Sequence, residues 1–358
     1  MRVLIAAGGT GGHIYPGIAV AKEIMRRDSS SAVRFVGTAR GLENRLVPQA
    51  GFELSLIESA GLVNMGLRQR LRGLLILPKS FLAARRIIKS FAPDVVVGVG
   101  GYVSGPVLLT ASLMRLPTLL VEPNAVPGFT NRRLARYVDA AALSFEATLP
   151  YFPGKGVVTG NPVRREFFEI NPKQRDPEKV SLLLFGGSQG SRAINEAMIA
   201  AVPYLKAERG RLRVTHQTGP AGFDKVRATY HEADWNDADV REYIDDMMSA
   251  FASNDLIISR AGATTSAELM AAGKAAIMIP LPGQLEQTRN AEALKNAGAA
   301  RLIGQDELTG ERLAKDILDL VVAPDEITRM EDAARKMARR DAAETAVDLI
   351  EKLVSRKQ

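Results

Sequence analysis

The chain has 358 residues, 46% hydrophobic and 24% charged, which suits two globular domains of roughly 100 to 200 residues and excludes disorder as the main state. It contains no cysteine, so a disulfide framework, a thiolate nucleophile and a Cys-ligated metal site are excluded, and a reducing, cytoplasmic setting fits. Lysine and arginine number 47 against 40 aspartates and glutamates; Arg68, Arg70, Arg72, Lys79, Arg85, Arg86 and Lys89 stand without an acid between Glu58 and Asp94, equal to the whole excess. Charge so concentrated predicts one face for an anionic partner, either nucleic acid or the headgroups of an anionic leaflet.

At the start of the chain, an apolar run at 3–6 passes directly into glycines and is too short for a secretory signal. Val/Ile/Leu runs at 3–6, 33–36, 95–99 and 118–121 alternate with helix-period segments such as 16–27, which predicts βαβ units and a parallel sheet. Residues 95–114 carry no charge over about the length that crosses a bilayer. Gly98, Gly100, Gly101, Ser104, Gly105 and Pro106 divide them into a strand, a glycine turn and a helix start. At 159–162 a Thr-Gly-Asn-Pro turn follows a short strand and opens a polar stretch, where the domain boundary is expected. A second series of strands follows at 180–185, 212–215, 240–243, 256–259 and 276–280. The expected organisation is α/β, with doubly wound domains at 1–161 and 162–340, and a helix at 341–358 crossing back to the first domain.

Each half opens with a strand running into a glycine loop, Gly8-Gly9-Thr10-Gly11-Gly12-His13 and Gly186-Gly187-Ser188-Gln189-Gly190-Ser191. Such loops let backbone approach a ligand, and the following helix offers free N–H groups to phosphate, although a plain tight turn has the same residues. Neither loop is a dinucleotide fingerprint, because the second strands run into Gly37-Thr38-Ala39-Arg40 and His216-Gln217-Thr218-Gly219 without a ribose-binding carboxylate. His13, ahead of the helix expected to start at Pro16, suits a general base with a pKa near ~6.5 or a structural hydrogen bond. Glu268, early in the helix after the 256–259 strand, could hold a ribose diol or merely complement the helix dipole. Arg164 could reach a diphosphate or sit in a solvated ion pair. Asp237-Ala238-Asp239 matches a metal-binding Asp-x-Asp, yet its polar surroundings mark a solvated loop.

The ordered set of Gly8–Gly12 with His13, Gly100-Gly101-Tyr102-Val103-Ser104-Gly105-Pro106, Thr159-Gly160-Asn161-Pro162-Val163-Arg164, Gly186-Gly187-Ser188-Gln189-Gly190, His216-Gln217-Thr218-Gly219 and Ile244-Asp245-Asp246-Met247 closely resembles the bacterial MurG-type N-acetylglucosaminyltransferases of peptidoglycan synthesis. The match spans nearly the whole chain. The resemblance implies a GT-B fold, two Rossmann-like parallel-sheet domains facing an inter-domain cleft. It also implies inverting transfer of GlcNAc from UDP-GlcNAc to the 4-hydroxyl of undecaprenyl-diphosphate-linked MurNAc-pentapeptide, turning lipid I into lipid II.

Carried over position by position, the resemblance assigns UDP-GlcNAc binding to Thr10, Gly11, Gly12, Asn124, Arg164, Ser188, Ile244, Ala263, Thr264, Thr265, Ser266, Ala267, Glu268 and Gln287. Ile244 would offer its backbone to uracil, Glu268 would take the ribose, Ser188 the diphosphate and Gln287 a sugar hydroxyl. His13 is similar to the family's acceptor-side histidine, a candidate base or acceptor contact. Pro123 departs from the family's usual Gln before Asn124, Ala261 replaces a commoner serine, and a shortened 282–287 stretch leaves Gln284 or Gln287 as the sugar contact. No cofactor and no tightly bound metal are expected. Leu67, Arg68, Arg70, Leu71, Arg72, Leu74, Leu75 and Lys79 form a candidate surface for anionic inner-leaflet lipids, which would place the enzyme peripherally on the cytoplasmic face of the cell membrane. An ordinary amphipathic helix with a solvated basic face has the same pattern. Cell-wall synthesis or division proteins are further candidate partners.

The alternatives are another GT-B glycolipid synthase using a UDP-sugar, or a non-catalytic nucleotide-sugar-binding protein. Nucleic acid is not expected as a partner, since the basic segment offers only Phe81 and Phe91 for stacking and carries no recognition motif.

Overall fold

A computed structural model of the chain describes residues 1–39, 41–59, 67–171, 176, 178–187 and 189–356, and for 67–75 the backbone alone. The chain divides into two compact units, Met1–Arg164 with Arg339–Gln358, and Arg165–Ala338.

The first unit contains β1 (Arg2–Ala7), α1 (Gly11–Arg27), β2 (Ala32–Gly37), α2 (Glu43–Gln49), β3 (Glu53–Leu56) and α3 (Leu67–Phe91). It continues through β4 (Val95–Gly100), α4 (Gly101–Leu113), β5 (Thr118–Glu122), α5 (Phe129–Leu134), β6 (Ala140–Leu143) and β7 (Gly156–Val158). Among the described residues these strands form one parallel sheet in the order β3-β2-β1-β4-β5-β6-β7. β4 is buried along its whole length because helices cover both faces, which is why it reads as an unbroken valine-rich run.

The second unit repeats the design with β8 (Val180–Phe185), α6 (Arg192–Leu205), β9 (Leu212–Gln217), α7 (Phe223–Glu232), β10 (Asp239–Arg241) and α8 (Met247–Ser253). β11 (Leu256–Ser259), α9 (Ala263–Ala272), β12 (Ala275–Met278), α10 (Leu285–Asn296), β13 (Ala300–Leu302), α11 (Gly310–Val321) and α12 (Pro324–Met337) complete it. Its described strands are also all parallel, in the order β10-β9-β8-β11-β12-β13. Both sheets reverse their winding next to the first strand, between β1 and β4 and between β8 and β11. In open α/β sheets ligands bind outside the carboxyl ends of the strands at such a switch point.

α13 (Ala342–Ser355) packs on the first unit, where Ala346, Val347, Ile350 and Leu353 join Val3, Ile5, Ile14 and Ile18 in one core cluster. Arg27 of α1 ties it down by ion pairs to Asp348 at 2.7 Å and Glu351 at 3.1 Å. The 95–114 stretch resolves into β4 and α4, and among the described residues no helix is long and apolar enough to cross a membrane. α1 starts earlier than Pro16, at Gly11, so the last loop glycines and His13 are helical. Pro16 forgoes one backbone bond near the start of this helix without ending it.

Candidate active site

At the carboxyl edge of the first sheet, β1 turns through Gly8 and Gly9, the latter at φ 93°, into α1. Thr10 is the exposed N-cap and its side chain makes no capping bond, so the amides of Gly11 and Gly12 sit at a helix start open to a ligand. His13 follows inside the first turn, its N–H donating to the Thr10 carbonyl at 3.1 Å. Its ring lies against the β4–α4 turn: a β-carbon at Gly100 would stand 3.0 Å from Cδ2 and Nε2. Gly100 and Gly101 have φ of 108° and 76°, so glycine serves both the turn and the imidazole's space. His13 Nδ1 is buried and has no hydrogen-bond partner among the described residues. Burial pushes the ring's pKa down to about 4, below the ~6.5 of a free imidazole, with the Glu43 charge opposing the shift.

Two carboxylates that sequence reasoning missed lie at this edge. Glu43, fully buried, accepts hydrogen bonds from the amides of Gly9 at 2.9 Å and Thr38 at 2.7 Å. Glu122, at the end of β5, accepts from the Asn124 amide and side chain, both at 3.0 Å, and from Asn131 Nδ2 at 2.8 Å. Burial pushes Glu122 up to about 7 against those bonds. Asn131 Nδ2 would also lie 3.5 Å from a β-carbon at Gly100, which links Asn124, through Glu122, to the neighbourhood of His13. The available signal was a lone acid closing an apolar strand, Leu119-Leu120-Val121-Glu122, two residues before Asn124. Arg164 stacks over Tyr15 of α1, 5.0 Å from the ring centroid.

In the second unit the loops after β8 and β9 meet backbone to backbone. A β-carbon on Gly190 would strike the Thr218 carbonyl, and one on Gly219 the Gln189 carbonyl. Ser188 lies outside the described residues. Its neighbour Gly187 accepts from Gln217 Nε2 at 2.9 Å, and Gln217 Oε1 accepts the N–H of buried Ile244 at 2.8 Å. The Ile244 amide is therefore already engaged. Beside them, β11 pairs with β8 and ends at Ser259 opposite Phe185, which sets the start of α9 at the same edge. There Ser259 Oγ, Thr264 Oγ1 and Ser266 Oγ are buried with no hydrogen-bond partner among the described residues. Such hydroxyls, close to the free amides of a helix start, suit a polar or anionic ligand.

Ala263, Thr264 and Thr265 form the opening of α9; Ser266, Ala267 and Glu268 are buried one turn on. Gln287 Oε1 accepts the Leu281 amide at 3.0 Å, while Gln284 is the exposed N-cap of α10. His216 is buried against Asn195 and Tyr230, at 3.1 Å and 3.4 Å, and burial pushes its pKa down to about 3. Asp237 is exposed, and Asp239 opens β10 in an ion pair with Arg241 at 2.8 Å. Among the described residues no three His, Asp or Glu side chains gather as a metal site. Of the candidate lipid-facing residues, Lys79 is exposed on α3; the side chains of Leu67, Arg68, Arg70, Leu71, Arg72, Leu74 and Leu75 lie outside the described ones.

Comparison with known proteins finds the glycosyltransferase family 28 N-terminal domain at residues 3–143 and its C-terminal domain at 181–346. A protein of Anaeromyxobacter dehalogenans strain 2CP-C is 46% identical over 361 residues, covering 100% of this chain and 94% of that one. One of Geobacter sulfurreducens is 45% identical over 355 residues, covering 97% of each. Both are named UDP-N-acetylglucosamine--N-acetylmuramyl-(pentapeptide) pyrophosphoryl-undecaprenol N-acetylglucosamine transferase. The crystal structure of Acinetobacter baumannii MurG superposes with a TM-score of 0.81 at 34% identity, covering 98% of this chain and 99% of that one.

Proposed function

This chain belongs to glycosyltransferase family 28, and we propose that it transfers GlcNAc from UDP-GlcNAc to the muramyl 4-hydroxyl of undecaprenyl-diphosphate-linked MurNAc-pentapeptide, making lipid II from lipid I. The observation that carries the reading is 46% identity, over the full chain, to a transferase named for that donor and acceptor. The open helix start of the first unit and the unpartnered hydroxyls of Ser259, Thr264 and Ser266 in the second support it.

On this reading the second unit binds the donor. Uracil meets the Ile244 carbonyl, since its N–H is held by Gln217; buried Glu268 accepts both ribose hydroxyls; and Ser188 with the start of α9 takes the diphosphate. Gln287 or Gln284 orders the sugar. In the first unit Thr10, Gly11, Gly12, Asn124 and Arg164 complete the donor contacts, and His13 meets the acceptor. The acceptor oxygen attacks the anomeric carbon from the face opposite UDP; the C–O bond to UDP breaks, and the hydroxyl proton leaves to a base, for which His13 is the candidate. Charge growing on the leaving diphosphate is met by helix amides and the Arg164 guanidinium, fixed groups that need no reorganisation. Turnover accordingly proceeds without a bound divalent metal. The enzyme works at the cytoplasmic face of the cell membrane, held by anionic lipids at α3.

The test is transfer of radiolabelled GlcNAc from UDP-GlcNAc to a short-chain lipid I analogue, with chelator present and absent, for the natural chain, His13→Ala and Glu268→Ala. Chelator-insensitive product, reduced at least tenfold by each substitution, is the expected result. Retained UDP-GlcNAc binding without product would move the search to another acceptor, and chelator loss rescued by magnesium would overturn the metal-free mechanism.

A further inference from the structure

We propose that Glu43 is a positioning residue for transfer: its carboxylate clamps the glycine loop after β1 to the loop after β2 and so fixes the helix start that presents Gly11, Gly12 and His13. The proposal rests on the transferase reading above. Glu43 is fully buried, and among the described residues its hydrogen-bond partners are three neutral donors. Oε2 accepts the Gly9 amide at 2.9 Å, and Oε1 accepts the Thr38 amide at 2.7 Å and the Thr38 hydroxyl at 2.9 Å. The grip on Gly9 is two-sided, because its carbonyl accepts the Leu42 amide at 3.4 Å, one residue before the glutamate.

The surrounding glycines fit the same arrangement. β-Carbons at Gly37 and Gly41 would run into the Glu43 side chain, and one at Gly8 would come within 2.9 Å of Oε1. Three glycines from two loops thus make a slot the width of one carboxylate. Burying an anion is costly unless every lone pair facing protein is satisfied, so a residue there for packing alone would be apolar or amide. A charge-assisted acceptor for two backbone amides gives what a loop of glycines lacks, a fixed conformation.

Glu43→Gln keeps the shape but turns one acceptor into a donor facing N–H groups. It is expected to speed amide hydrogen exchange at Gly9 and Thr38, and to lower kcat/KM for transfer about 30-fold, mainly in kcat. UDP affinity, to which Gly11 and Gly12 contribute only beside Ile244 and Glu268 of the other unit, is expected to fall by much less than transfer does. Should this variant fail to fold, Thr38→Val removes one donor only and is expected to lower kcat/KM about three- to tenfold with faster exchange at Gly9. Unchanged exchange at Gly9, unchanged transfer, or UDP affinity falling in step with transfer would each overturn the proposal. A natural chain that makes no product would sink the transferase reading instead, and exchange at Gly9 would still decide the clamp.

Discussion

At the scale of single residues, His13 combines two opposed properties. Held at a pKa of about 4, it is unprotonated at neutral pH and ready to receive a proton, but it retains that proton weakly. A group with a lowered pKa keeps its neutral form until pH falls through the lowered value. The acid limb of kcat/KM that His13→Ala removes is therefore expected near pH 4. Glu122 titrates close by at about 7, so the readout is the difference between the natural and His13→Ala profiles. A limb at ~6.5 that disappears with the substitution would contradict the burial described for the ring. The sequence shows His13 and its glycines, but its depressed pKa comes from burial, and the Gly100–Gly101 turn beside the ring is brought near only by the β1–β4 pairing. Glu43 and Glu122 were illegible for the same reason: a carboxylate is visible in a sequence, whereas the amides that hold it are not.

At the scale of elements, the long apolar strands and both glycine loops could be read directly, because full burial leaves unbroken Val/Ile/Leu runs. β6 escaped because Ala140-Ala141-Ala142 lacks the branched side chains that mark a strand, β3 because Glu53 and Ser55 interrupt its leucines on a half-exposed edge, and β13 because it has three residues. α3 was legible as a basic, leucine-rich segment, and it divides in two. Its later part buries Ala84, Ile88 and Phe91 in the first unit's core, while Lys79 is exposed. The earlier part carries Arg68, Arg70 and Arg72, each worth about 1 kcal/mol at an anionic surface. Reversing those three charges is expected to weaken sedimentation with phosphatidylglycerol vesicles by at least tenfold and to leave neutral vesicles unaffected. Equal sedimentation with both would remove α3 from the membrane reading.

At the scale of the molecule, each unit has its own hydrophobic core, but only the second is built from continuous chain. The first also needs α13, whose Ala346, Val347, Ile350 and Leu353 are each at most 8% exposed. Three aliphatic side chains and an alanine at that burial contribute on the order of 5 kcal/mol or more, comparable with the whole stability of a domain. Removal of residues 339–358 is expected to abolish slow amide exchange in β1, β2 and β4 while β8, β9 and β11 stay protected. Equal protection of both units in the shortened chain would show that α13 is dispensable.

The closure by α13 also inverts the order of assembly on the ribosome. Residues 1–164 are made first, yet their core stays open until the last helix emerges, whereas 165–338 has all it needs before then. At about 5–20 residues per second the wait is roughly ten to forty seconds. Throughout that interval the nascent chain presents the apolar face of α1, a surface that a translating cell must keep from the wrong partner.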